Sequence, residues 1–284
     1  MKIMKSIREA LTNNNSPAPQ VTSKLSVYQH WDPLKAMAVG ISYPPELYDY
    51  IKNEKVRKVF YQIAEETEED YQKLISLLHK FNITTVRPDI SREIHLAKLA
   101  AKKQEHIKKP MFMQLRDISM MLGERFYCPI VPQLDPIMQL LKNQGNEIID
   151  LNNLEFGTWK ADMTSQAYLC GAMTTRIGKD LYIGTVGSEN VILNGTLSEL
   201  ENKLQAKLPD YRVTMVDTNG HTDGSFCPVK PGLIMSIAGE WPYTKTFPDW
   251  EVVYLQGESW GKLQNFQSLK RKNGGKWWVP GQEL

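Results

Sequence analysis

An order of elements repeats along this chain, and it limits the available folds more than any single residue does. Between 113 and 151 the sequence reads as hairpin, helix, strand. Met113–Tyr127 holds two apolar runs joined at Gly123-Glu124, Asp135–Lys142 has helical spacing, and Glu147–Leu151 reads as a strand. The same order returns between 167 and 216. There Ala167–Ile177 is expected to pair with Leu181–Gly184 across Gly178-Lys179-Asp180, Leu197–Leu208 is a helix stopped by Pro209-Asp210, and Tyr211–Val216 alternates as a strand. The period is roughly 50 residues, the upper end of repeat architectures. Sequence identity between the two units is negligible, so only the ββαβ pattern repeats. A ring of such units places several strand ends around one central cavity, and the fold class expected is α/β.

The flanking sequence fits around these units. Residues 1–24 read as an arm and linker, with the breaker cluster Asn13–Pro19, and a single domain is expected over 25–284. Ala36–Ile41 is a candidate buried strand. The clearest helix is 54–81, where Val56, Val59, Phe60 and Ile63, then Tyr71, Leu74, Leu77 and Leu78, recur at helical spacing. Glu65–Asp70 breaks that run and reads as a solvated face or the start of a second helix, not a metal site. Asn82–Pro88 is a short strand, 91–109 a basic surface helix and loop, and Trp250–Leu255 a further strand.

Composition excludes several functions. A chain of 284 residues with 42% hydrophobic residues and 7 Trp can bury a substantial core. Its net charge of +2 argues against a dedicated nucleic-acid binder, and the basic stretch 91–109 has no interleaved aromatics on which bases could stack. The 3 Cys, at Cys128, Cys170 and Cys227, form no CxxC pair, which supports neither a zinc site nor a disulfide framework. The N-terminus lacks an apolar signal core, and no apolar run approaches the ~20 residues that span a bilayer. The expectation is a cytoplasmic chain with no membrane or nucleic-acid partner, no metal and no cofactor.

The stretch with the most chemistry is Gly220–Gly232. His221 stands two residues before Asp223, just past the strand Arg212–Val216. On extended backbone, residues i and i+2 face the same side. An imidazole can move protons near neutral pH, and a carboxylate beside it can orient the ring or hold a cation. Taken alone, this pair is also what a surface turn with a satisfied His looks like. Arg116-Asp117, which opens the first strand of the earlier hairpin, is by itself more often an exposed ion pair than a site. Cys128 is expected to pack under its hairpin and Cys227 to point into the core. Cys170 is read either as a buried inert thiol or as a nucleophile activated by His221.

Five collinear stretches resemble one family. Trp31-Asp32-Pro33-Leu34 with Val39-Gly40, Arg116-Asp117-Ile118 with Gly123, Arg176-Ile177-Gly178-Lys179-Asp180-Leu181, Leu208-Pro209-Asp210-Tyr211-Arg212-Val213, and His221-Thr222-Asp223-Gly224-Ser225-Phe226 with Pro231-Gly232-Leu233 are similar to motifs of the amidinotransferases. These are the glycine and inosamine-phosphate group of the guanidine-modifying penteins, and the resemblance covers roughly 30–260. It implies a five-bladed α/β propeller of ββαβ units. It implies transfer of an amidino group, through a Cys thiol, from a guanidine donor such as arginine to a primary amine acceptor. It gives His221 the proton-transfer role and gives Asp117 and Asp223 the clamp on a planar guanidinium, which carboxylates hold by paired charge-assisted hydrogen bonds.

The chain departs from that pattern at three places. The family's nucleophilic Cys follows a Gly-rich turn and a His that would lie beyond Leu284. The family's His-orienting Asp aligns with Cys170. Glu240-Trp241 stands where the family has an Arg for the substrate carboxylate. The expectation is therefore an incomplete last blade, an open blade edge inviting self-association or a partner chain, and guanidino binding without turnover. A non-catalytic pentein that binds a guanidino compound or joins a larger assembly is the alternative.

Overall fold

The hairpin glycines mark the architecture. Gly123, Gly178 and Gly232 all take positive φ, at 55°, 64° and 78°, a backbone region that glycine enters at little cost. Each turns an antiparallel pair. The computed structural model describes residues 19–103, 112–151, 169–185, 197–218, 221–236 and 243–254. Within them β3 (Met120–Leu122) pairs with β4 (Arg125–Cys128), β6 (Thr174–Ile177) with β7 (Asp180–Thr185), and β9 (Phe226–Lys230) with β10 (Leu233–Ser236). A helix follows each pair: α3 (Asp135–Asn143), α4 (Leu197–Lys207) and the single turn α5 (Tyr243–Thr246). The chain then returns parallel to the second strand, as β5 (Glu147–Asp150), β8 (Arg212–Asp217) and β11 (Glu251–Tyr254). Three three-stranded ββαβ units result.

A fourth unit precedes these, without a leading strand among the described residues. β1 (Ala36–Ala38) runs parallel to β2 (Thr84–Val86), with α1 (Glu54–Lys80) between them. Among the described residues the other edge of β1 has no strand partner. α2 (Ser91–Lys102) follows β2. α1 begins at Asn53, whose Oδ1 accepts from the Lys55 and Val56 amides at 3.1 and 3.4 Å, the usual N-cap device. It runs unbroken through Glu65–Asp70, so the expected interruption there is corrected. The reason is side-chain pairing. Glu68 turns inward and takes Arg87 in a two-pronged bond at 2.6 and 2.9 Å. Glu66 and Asp70 pair along the helix with Gln62 and Lys73.

Two other expectations are corrected. Leu115–Asp117 is a 3-10 turn ahead of β3, so Arg116-Asp117 does not open a strand. Of the long strand expected from 167, the extended part is only Thr174–Ile177; the chain turns through Gly171–Met173, and 167–168 lie outside the described residues.

The core lies between the units. Leu122, Leu181, Ile183, Leu204 and Leu208 form one buried cluster, and Leu47, Ile90, Leu115, Leu134 and Leu141 belong to another. Phe226, Ile234, Tyr243 and Phe247 form the core of the last unit. Each such side chain contributes about 1.5–3 kcal/mol by leaving water. The segment before β1 stitches units together, through antiparallel bridges Val27–Gly123 and Gln29–Ile177. Trp31 packs near Trp250 at 6.5 Å between ring centroids. No helix among the described residues is long and apolar enough to cross a membrane.

Candidate functional site

Three turns, one leading into the first strand of each ββαβ unit, meet side by side. The turn Leu115–Asp117 precedes β3, Gly171–Met173 precedes β6, and Thr222–Gly224 precedes β9. Backbone bonds lace them together. The Ala172 amide donates to the Arg116 carbonyl at 3.1 Å, Gly171 to Ser119 at 3.1 Å, and Asp223 to Ala172 at 3.2 Å. The buried Thr222 hydroxyl donates to the same Ala172 carbonyl at 2.9 Å. A Cβ on Gly171 would lie 2.7 Å from Arg116 Cγ and 2.9 Å from the Ser119 carbonyl. Only glycine lets the turns approach this closely.

The sequence-predicted residues Asp117, His221, Asp223 and Cys170 all sit on these turns or next to them. His221 is the residue just before the Thr222–Gly224 turn, and its Nδ1 lies 3.9 Å from Asp223 Oδ1. That is longer than a hydrogen bond. Burial pushes the Asp117 carboxyl above its usual range. His221 opposes that shift, the Asp223 carboxylate adds to it, and Arg116 opposes it. Asp117 is thus within electrostatic reach of all three. Asp223 is already engaged: Arg116 Nε lies 3.2 Å from its Oδ2 while donating to the Gly171 carbonyl at 2.9 Å.

Cys170 is buried beside the two carboxylates. Burial pushes its thiol up to about 11, the amides of Met173 and Ala172 draw it part of the way back, and Asp117 and Asp223 raise it further. A thiol held this far up carries almost no thiolate near neutral pH, which is the reverse of activation. Cys128 is buried under its hairpin, its thiol pushed up to about 12. Cys227 is exposed, which corrects the expectation that it points into the core. Along β9 the buried residues are Phe226 and Pro228, so Cys227 has the opposite, outward phase.

Two basic residues near the site had no role assigned from sequence. The Arg176 Nη1 donates to the Met121 carbonyl at 2.7 Å, while its Nε is buried with no partner among the described residues. Burial, with Arg116 nearby, holds its guanidinium down to about 10. His30 accepts the Arg176 backbone N–H at 3.4 Å, and burial, then Arg176 and Arg116, lower its imidazole to about 4. The only sequence signal was that both adjoin motifs, Trp31-Asp32-Pro33 and Arg176–Leu181. The Glu240-Trp241 position lies outside the described residues.

A cavity of about 300 Å³ lies at the hairpin-turn ends of the units, lined among others by Tyr28, Gly123, Arg125, Lys179 and Tyr211. None of the predicted site residues lines it. Its Arg125 is paired with Glu147 and Asp210, both at 2.9 Å. Among the described residues, no group of His, Cys, Asp and Glu is arranged to hold a metal ion.

Solved structures that share this architecture include two amidinotransferases. One is inosamine-phosphate amidinotransferase from Streptomyces griseus, 18% identical, with a TM-score of 0.53 over 82% of this chain and 75% of that one. The other is an amidinotransferase of the saxitoxin biosynthetic pathway from Microseira wollei, 14% identical, with a TM-score of 0.51 over 81% and 76%. No family model and no curated protein matches the chain. At such identities the likeness is one of fold.

Proposed function

We propose that this chain, which has the pentein α/β-propeller fold of the amidinotransferases, binds an arginine-like guanidino compound, with Asp117 and Asp223 as the clamp and His221 as the proton carrier. The observation that carries this is the convergence of three turns, from three successive units, on two carboxylates and one imidazole. Two neighbouring negative charges favour a cation, and a planar guanidinium can bond to both carboxylates at once. His221, half-exposed, is placed where it can exchange a proton with the nitrogen of a bound guanidino compound or amine.

A calorimetric titration with arginine at neutral pH tests the clamp. Asp223→Asn is expected to weaken binding roughly tenfold, the low end for a lost charge-assisted hydrogen bond because Asp223 is partly exposed. His221→Ala is expected to weaken it less. Equal affinities for Asp223→Asn and the native chain would remove Asp223 from the clamp.

Turnover by a Cys-linked amidino intermediate requires a thiolate in line with the guanidinium carbon. Cys128 and Cys170 are buried with raised thiols, and Cys227 faces outward from its strand. Binding without turnover is therefore proposed for this chain on its own. Mass spectrometry after incubation with arginine is expected to find no amidino adduct on any of the 3 Cys. An adduct on Cys170 would overturn this and make that thiol the nucleophile.

A further inference from the structure

Arg116 places a guanidinium of the chain's own against the carboxylate assigned to hold a substrate guanidinium. Its Nε donates to the Gly171 carbonyl at 2.9 Å and stands in ion-pair contact with Asp223 Oδ2 at 3.2 Å. We propose that Arg116 is a specificity-determining residue, a built-in competitor that sets how tightly Asp223 can hold a guanidino compound. This rests on the clamp proposed above for Asp223.

The contact is not needed to hold the turns together. Four other bonds do so: Ala172 to Arg116, Gly171 to Ser119, Asp223 to Ala172, and the Thr222 hydroxyl to Ala172. The Arg116 side chain is free to serve through its charge. Its stem lies flat on Gly171, where even a methyl group would collide with Cγ at 2.7 Å, so the guanidinium cannot retreat in that direction. Arg176 also lies within electrostatic reach, and like charge disfavours a move toward it. Asp223 is the carboxylate it contacts, with Asp117 also within electrostatic reach.

The competition is weak enough to lose. The contact is an ion pair at one carboxylate oxygen, the Nε hydrogen bond going to Gly171 instead, and the pair is partly exposed, at 44% and 31% of the side chains. Such pairs are heavily screened. An incoming guanidinium presents two parallel N–H groups and makes the stronger bidentate bond. Once displaced from Asp223, Arg116 keeps the Gly171 carbonyl as its partner. It remains beside the ligand as a like charge, and affinity is lower than the two carboxylates alone would give.

Methylguanidine, a guanidinium without a carboxylate or an amine, is the probe, titrated by calorimetry at neutral pH. Arg116→Gln is expected to bind it on the order of tenfold more tightly than the native chain, since a neighbouring positive charge is gone. Arg116→Lys keeps the charge and is expected to stay within about threefold of native. In the Asp223→Asn background the gain from Arg116→Gln is expected to be smaller, because the contested carboxylate is no longer charged and only the like-charge repulsion is relieved. A glutamine variant that binds no better, while Asp223→Asn still weakens the native chain, overturns the competition and leaves the clamp standing. Native and Asp223→Asn chains that bind equally overturn the clamp, and the competition with it. If the glutamine variant does not fold, the native chain decides by NMR. Under competition the Arg116 Nε–H resonance shifts as methylguanidine is added, and a resonance that stays in place at saturation overturns the proposal.

Discussion

Gly40→Ala is expected to be the most damaging glycine-to-alanine change among the described residues. An alanine Cβ there would stand 2.0 Å from the Met113 carbonyl oxygen, 2.8 Å from its carbon and 3.1 Å from the Phe112 oxygen. These are backbone atoms, and no rotamer change relieves the clash. The Met113 oxygen also accepts from the Tyr71 hydroxyl at 3.1 Å, and the Ile41 amide donates to Phe112 at 3.1 Å. The Gly40 carbonyl takes two bonds from Arg87, at 3.1 and 2.8 Å. The crossing is therefore fixed from both sides. Roughly 3 kcal/mol or more of destabilisation follows for such overpacking, against a total of about 5–15 kcal/mol for an ordinary protein. The damage reaches the candidate site, because Met113 leads directly into the turn that carries Arg116 and Asp117. Urea unfolding of the variant is expected to show a much lower midpoint. Gly224→Ala is the matched control. It lies on the site's own turn, yet an added Cβ meets nothing within 4 Å, so its stability is expected within about 0.5 kcal/mol of native. Equal stability of Gly40→Ala and Gly224→Ala would show that the Gly40–Met113 crossing yields to a methyl group.

The hairpins at Gly123 and Gly178 were legible because a positive-φ glycine between two apolar runs has few other meanings. The third hairpin, around Gly232, was hidden by its own residues. Pro228 falls inside its first strand and Pro231 at its turn, and a proline within a run argues against a strand. That first strand, β9, is an edge strand of its sheet, where a missing N–H costs little. The one-turn helix α5 is too short for periodicity to reveal. At the site, His221 and Asp223 were found through their spacing, although they sit at a 3-10 turn and not on extended backbone. Asp117 was found through its motif, while its alternating neighbours disguised the turn as a strand. The Arg116–Asp223 contact and the His30–Arg176 bond, between residues 146 apart, are made only by tertiary folding. No local pattern announces them.

His30 is expected to make the folded protein sensitive to mild acid. Burial holds its imidazole down to about 4, from 6.5 when solvated, and Arg176 and Arg116 push in the same direction. Between those values the unfolded chain binds a proton that the folded chain refuses. Stability therefore rises with pH through this window. The contribution is complete above pH 6.5 and is lost as pH falls toward about 4. The shift sets a ceiling of roughly 3 kcal/mol, and about 2 kcal/mol is expected for a ring that is not fully enclosed. Asp117, raised by burial, works with the opposite sign. The useful measurement is consequently a difference. Urea unfolding of the native chain and of His30→Gln, at pH 7.5 and again at pH 4.5, cancels every group the two share. Glutamine keeps an acceptor for the Arg176 N–H, which now reaches the imidazole at 3.4 Å, but cannot take a proton. The native chain is expected to lose about 2 kcal/mol more than the variant on acidification. Identical losses would show that His30 protonates as readily folded as unfolded. That outcome would also revise the site, because a charged His30 would add a third cation beside Arg116 and Arg176 and draw the field further from one that welcomes a guanidinium.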